Sequence, residues 1–145
     1  MATISLAGSD VRYECGAADT LLRAGLRAGL GLSYECNVGA CGSCKVEIVS
    51  GAVESNWPAA PALTDRDRSR NRVLACQSRP LEDCVVKLRL RDDCKPVHPP
   101  ARFRATLAAV RALTHDLHEF RFRADGAPGF RPGQYALLTL PGVAG

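Results

Sequence analysis

The sequence predicts an α+β fold, a small mixed sheet built around one helix, followed by a few strands that form only part of a second unit. Three observations predict it. Short runs alternate apolar and polar residues, one stretch repeats leucine every four positions, and a proline-rich segment from residue 94 separates the two parts.

TISL at 3–6 and VRYEC at 11–15 read as a hairpin, with Val11, Tyr13 and Cys15 on one face. DTLLRAGLRAGLG follows as an amphipathic helix. Asp19 or Thr20 caps its start, Leu22, Leu26 and Leu30 form its apolar stripe, and Gly29 or Gly31 ends it. Gly25 inside it costs about 1 kcal/mol relative to alanine, so tertiary packing must hold that helix. KVEIV is a strand with Val46 and Ile48 on one side, closed by Gly51. From Ser50 to Arg72, prolines, Trp57 and the polar run TDRDRSRNR suit a loop with one short helix, after which RVLACQ and VVKLRL resume as strands. CKPVHPP, with three prolines in residues 94–100, is a linker between residues 1–93 and residues 101–145. Beyond it RFRATLAAVRAL, LHEFRFRA and QYALLTL read as three strands, too few to enclose a core.

With 145 residues and 46% apolar side chains, the chain suits one compact domain plus a piece of another. The first ten residues, MATISLAGSD, have neither the basic start nor the apolar stretch of a signal peptide, and no run approaches the roughly 18 apolar residues of a membrane span. The expectation is a soluble, cytoplasmic protein with no membrane partner. A net charge of +4 is spread without a block of like charges or interleaved aromatics, which argues against a nucleic-acid surface. In a reducing cytosol the seven cysteines, an odd number, serve as ligands or catalysts more readily than as disulfides.

CNVGACGSC places Cys36, Cys41 and Cys44 in the spacing C-x4-C-x2-C. That spacing, with a distant fourth cysteine, is the plant-type 2Fe-2S pattern. Candidates for the fourth are Cys15, Cys76, Cys84 and Cys94. Cys76 fits best, because it closes a strand-like run well downstream. Cys15 and Cys84 fall in phase with apolar neighbours and read as small buried hydrophobes, and Cys94 as a free thiol in the linker. Two bridged irons need four thiolates around one compact object, and a loop can wrap such an object where a helix cannot. Gly39 and Gly42 can take positive φ and bring backbone N–H groups close, and small Ala40 and Ser43 help in the same way. These four are the cofactor-binding candidates; Cys36, Cys41, Cys44 and Cys76 are the metal candidates.

A zinc ribbon would show two C-x2-C knuckles, and only Cys41/Cys44 occurs. A Rieske centre needs nearby histidines, whereas His98, His115 and His118 lie in or beyond the linker. Thioredoxin-like chemistry would place a helix after CGSC, where KVEIV reads as a strand. Zinc remains the alternative to 2Fe-2S.

YECNVGACGSCKVEIVSGAVESNWP and RNRVLACQSRPL resemble the N-terminal ferredoxin domain of NADH-dependent reductases that serve bacterial multicomponent monooxygenases of the toluene and phenol type. HPPARF and FRPGQYALLTLP resemble the linker and first flavin-barrel strands of the same reductases. The resemblance implies a β-grasp 2Fe-2S ferredoxin domain over 1–93 and, over 101–145, a partial, truncated FAD-binding barrel. The family's flavin-binding R-x-Y-[ST] signature does not occur before Gly145, so Arg131 and Tyr135 read as structural. By motif, Cys36 and Cys41 would hold the iron nearer the surface and Cys44 with Cys76 the inner one. Electrons would pass from NADH to FAD, then singly to the cluster, then to a Rieske ferredoxin or hydroxylase component. FAD and NADH would belong only to the full-length protein, whose own flavin domain would be a further partner. The alternative is a free-standing ferredoxin with a C-terminal docking segment. Glu35 and Trp57 are candidates for a partner-docking face or, equally, for ordinary packing.

Overall fold

A computed structural model describes residues 1–126 and 129–142 of the chain. It divides into two compact units, Met1–Pro100 and Ala101–Gly145.

In the first unit, β1 (Ala2–Leu6) and β2 (Arg12–Cys15) form the antiparallel hairpin, with Ile4 opposite Tyr13. Helix α1 (Leu21–Arg27) follows, its first turn capped by the Thr20 hydroxyl accepting from the Arg23 amide. Ala28 closes it, and Gly29 follows with φ of 78°. Leu21, Leu22, Ala24 and Leu26 are buried against the sheet, each fully buried leucine contributing about 1.5–3 kcal/mol. The glycine inside the helix has a packing reason: a Cβ at Gly25 would lie 2.9 Å from Leu32 Cδ1 and 3.4 Å from Tyr13 Cζ.

The sheet is completed by β3 (Lys45–Ser50), β5 (Arg72–Leu74) and β7 (Cys84–Lys87), in the order β2-β1-β7-β3-β5. Only β1 and β7 run parallel; the other neighbours are antiparallel. Between them lie β4 (Val53–Ser55), the short helix α2 (Asp65–Arg68) and β6 (Ser78–Pro80), with β4 and β6 paired as a separate two-stranded ribbon. RVLACQ is therefore not one strand, since β5 stops at Leu74 and Cys76 sits in the turn before β6. VVKLRL is shorter than the sequence predicts as well, ending at Lys87. Cys15 and Cys84 are 0% and 2% exposed in the core, where burial raises both thiols, Cys15 to about 11.

The proline segment is strapped to the first unit. The Arg91 amide donates to Gly31 O at 2.8 Å, and a Cβ at Gly31 would fall 1.8 Å from Arg91 O, so only glycine permits that approach. Asp92–Cys94 make a 3-10 turn, Cys94 Sγ lies 3.9 Å from Ser33 Oγ, and Arg27 donates to Pro100 O at 3.5 Å.

The second unit holds β8 (Ala105–Ala112) and β9 (His118–Ala124), an antiparallel pair whose register shifts between Leu107 and Ala109. Leu107, Val110, Phe120 and Phe122 are exposed, as expected of a two-stranded ribbon without a second layer. QYALLTL at 134–140 is not a strand, because its alternating side chains have no partner ladder in that ribbon. Arg131 and Gln134 close a turn there, the Gln134 amide donating to Arg131 O at 3.1 Å. Among the described residues no helix is long and apolar enough to cross a membrane.

Candidate metal centre

The loop from Ala28 to Cys44 carries no regular structure, and three of its last eight residues are left-handed: Asn37 (φ 53°), Gly39 (φ 92°) and Gly42 (φ 78°). Alternating hand in this way turns successive N–H groups inward, the geometry of an anion-binding nest. The Val38 and Cys41 amides point at Cys36 Sγ, at 3.5 and 3.4 Å, and the Ser43 amide at Cys41 Sγ, at 3.5 Å. The Val38 amide, aided by the Cys41 side chain and the Cys41 and Ala40 amides, pulls the Cys36 thiol down to about 6. These donors favour a thiolate over a thiol.

Cys44 and Cys76 are enclosed, 5% and 3% exposed, whereas Cys36 is half-buried and Cys41 exposed. The two enclosed thiols face one another. Cys76 is the main reason that Cys44 is lowered to about 7, and the same partnership drives Cys76 strongly upward. The Cys76 turn is fixed from both sides: the Ala75 amide donates to Cys44 O at 3.0 Å, and Ala75 O accepts from the Leu22 amide of α1 at 3.0 Å. Electrostatic coupling also links Cys41 to Cys44 and Cys36 to Cys76.

The structure pairs Cys44 with Cys76 and sets Cys36 and Cys41 on one turn, with electrostatic coupling between the two pairs. Among the described residues no three Cys, His, Asp or Glu side chains are grouped to hold one metal ion. Four thiols with backbone amides aimed at the outer sulfurs are the donor chemistry that two bridged irons, each taking two thiolates, would use. Cys15 and Cys84 stay in the core, and Cys94 lies beside Ser33.

The sulfurs take contacts from the amides of Val38, Cys41 and Ser43, with Ala40 contributing at Cys36, while the glycines act through conformation and space. A Cβ at Gly39 would lie 3.1 Å from Gln77 Cγ and from Trp57 Cε3; one at Gly42 would lie 3.1 Å from Lys45 Cε and 3.6 Å from Ala62 Cβ. Trp57 is therefore partly a packing residue behind the loop. Asp67 is a further anchor, which accepts from Lys45 Nζ at 2.8 Å and is held well below the usual carboxylate range by Lys45 and Thr64. Thr64-x-x-Asp67 is a capping-box spacing and was its available signal.

Residues 4–81 match the model of the 2Fe-2S iron-sulfur cluster binding domain. The chain belongs to this family. The family's cofactor is a 2Fe-2S cluster, and its α+β ferredoxin-like fold is the one described above. Similar proteins include the ferredoxin--NAD(P)(+) reductase CarAd of Metapseudomonas resinovorans, 47% identical over 133 residues, covering 89% of this chain and 40% of the relative. The ferredoxin--NAD(+) reductase component of the alkene monooxygenase system of Xanthobacter autotrophicus is 37% identical, covering 90% of the chain and 40% of the relative. Among solved structures, the ferredoxin reductase in carbazole 1,9a-dioxygenase superposes with a TM-score of 0.86 at 42% identity, covering 92% of this chain and 40% of that one. The 2Fe-2S domain therefore spans, with the unit after it, about 40% of the length of the curated relatives it matches.

Proposed function

We propose that this chain is the electron-transfer portion of a longer NADH-dependent flavin reductase, and that Cys36, Cys41, Cys44 and Cys76 hold its 2Fe-2S cluster. The cluster supplies one-electron chemistry at a low potential, near about −400 mV in plant-type centres. The chain's residues set the conditions for it. Cys44 and Cys76 hold the enclosed iron, Cys36 and Cys41 the one nearer solvent, and the inward amides of Val38, Ala40, Cys41 and Ser43 offset the negative charge that an added electron increases. Gly39, Ala40, Gly42 and Ser43 line the cluster through backbone. No acid, base or nucleophile is required.

The observation that carries this reading is the pairing of remote Cys76 with Cys44 beside the donor-lined Cys36–Cys41 turn. Coverage of only about 40% of each reductase supports the longer protein. In it, residues 1–93 are the cluster domain, 94–100 the linker and 101–145 the start of an FAD-binding barrel, with FAD and NADH bound by the complete chain. The name of the alkene monooxygenase relative supports an acceptor within an oxygenase system; the acceptor proposed is a hydroxylase component or a Rieske ferredoxin, and the location the cytoplasm.

Serine substitution tests the ligand set. Cys76→Ser removes most of the bound iron and visible absorption, while Cys94→Ser, near Ser33 and away from the quartet, leaves both unchanged. Equal loss in the two variants would refute the assignment.

A further inference from the structure

The Asp67 carboxylate is 7% exposed as a residue and gathers four donors. Oδ2 accepts from Lys45 Nζ at 2.8 Å, from the Thr64 hydroxyl at 2.8 Å and from the Thr64 amide at 3.1 Å; Oδ1 accepts from Arg72 at 3.5 Å. A capping box accounts for Thr64. It does not account for the two cations. These are the first residues of β3 and β5, the strands next to the enclosed cysteines: Lys45 follows Cys44 directly, and Arg72 begins the strand that leads into the Cys76 turn. The strands pair Lys45 with Leu74 and Glu47 with Arg72. The Lys45 stem also covers the loop, its Cε 3.1 Å from the Cβ position of Gly42.

From this arrangement we infer that Asp67 is a positioning residue, which holds Lys45 against the cysteine loop and ties the Cys44 and Cys76 arms together so that both thiolates meet one iron. The inference rests on the 2Fe-2S reading above. An exposed ion pair contributes little by itself, but a shielded carboxylate shared by two cations and a hydroxyl is a network, and its loss frees both arms at once. Glu47 stands opposite Arg72, so Lys45, which follows Cys44 directly and whose stem lies over Gly42, is the cation whose charge acts on the cluster. That charge makes the added electron less unfavourable.

The test uses cluster-loaded chain in four forms besides the wild type: Lys45→Met, Lys45→Arg, Asp67→Asn and the Lys45→Met/Asp67→Asn double variant. Bleaching of the visible absorption in excess EDTA gives the rate of cluster loss, and a redox titration gives the midpoint potential. Losing this charged contact raises the bleaching rate about tenfold in Lys45→Met and Asp67→Asn. The double variant bleaches about as fast as Asp67→Asn alone, since Lys45 acts through that carboxylate. Lys45→Arg, which keeps a cation within reach of the carboxylate, stays within about threefold of wild type. The midpoint potential falls in Lys45→Met and holds in Lys45→Arg, a distinction that packing alone would not produce. Unchanged bleaching, independent effects that multiply to about a hundredfold, or equal potentials in the two lysine variants would overturn the inference. Should Asp67→Asn fail to fold, the lysine variants decide alone. A wild-type chain that takes up no iron and sulfide rejects the cluster reading and this inference with it, whereas a normal wild-type cluster with unaltered variants rejects the inference only.

Discussion

The two halves of the cysteine quartet are built in different ways. Cys36 and Cys41 sit near solvent on a turn whose left-handed residues aim amides at their sulfurs. Cys44 and Cys76 are enclosed, with each other as the main influence on their ionisation, and are held by strands. An exposed sulfur can rely on water and fixed dipoles to carry charge; an enclosed one needs a partner. The outer half is therefore preorganised by backbone, and the inner half by tertiary structure.

The largest consequence is unequal tolerance of substitution. Cys44→Ser and Cys76→Ser should abolish cluster retention, because a hydroxyl in an enclosed site is a poor replacement for a thiolate. Cys41→Ser, open to solvent, should retain part of the iron with altered absorption. Iron analysis checks this, and equal losses at all positions would break the comparison.

A second difference appears in the cluster-free chain. Cys36, lowered to about 6, should react with iodoacetamide along a pH profile with its midpoint near 6, while Cys76, raised and enclosed, should be the last of the quartet to be labelled. Peptide mass spectrometry after timed alkylation reads both.

Smaller effects sharpen the account of the turn. Gly39→Ala places a Cβ 3.1 Å from Gln77 and Trp57 on a residue with φ of 92°, and should cost about 1–3 kcal/mol of stability. Urea unfolding measures this, and adding Trp57→Ala should recover only the part due to contact. Smallest is the pH dependence at Asp67. Its folded carboxyl lies below the unfolded value, so its contribution is fully present above the ordinary carboxylate pKa of about 4 and is lost as pH falls toward the folded value. Asp67→Asn should remove that part of the acid sensitivity in the urea midpoint.

The outer half was legible in the sequence, because C-x4-C-x2-C with interspersed glycines is a local pattern and its chemistry constrains it locally. The partnership of Cys76 with Cys44 lies across the fold, and the place of Cys76 in a turn was not legible, since RVLACQ alternates as a strand would. Helix α1 was marked by its leucines and by Thr20. The ribbon of β4 and β6 was not, because each strand has three residues and Pro80 lies within one, too little for alternation to register. QYALLTL misled for the opposite reason, carrying the pattern of a strand without a partner in the described ribbon. Trp57 behind Gly39 and Lys45 on Asp67 are contacts across the fold, and spacing along the chain does not disclose them.

Iron, acid-labile sulfide and zinc per chain, measured with an EPR spectrum after chemical reduction, test the central claim most directly. A chain with two thiolate pairs around a bridged centre should hold about two irons and two sulfides and give a rhombic signal when reduced by one electron. A colourless chain holding one zinc and no sulfide would contradict it.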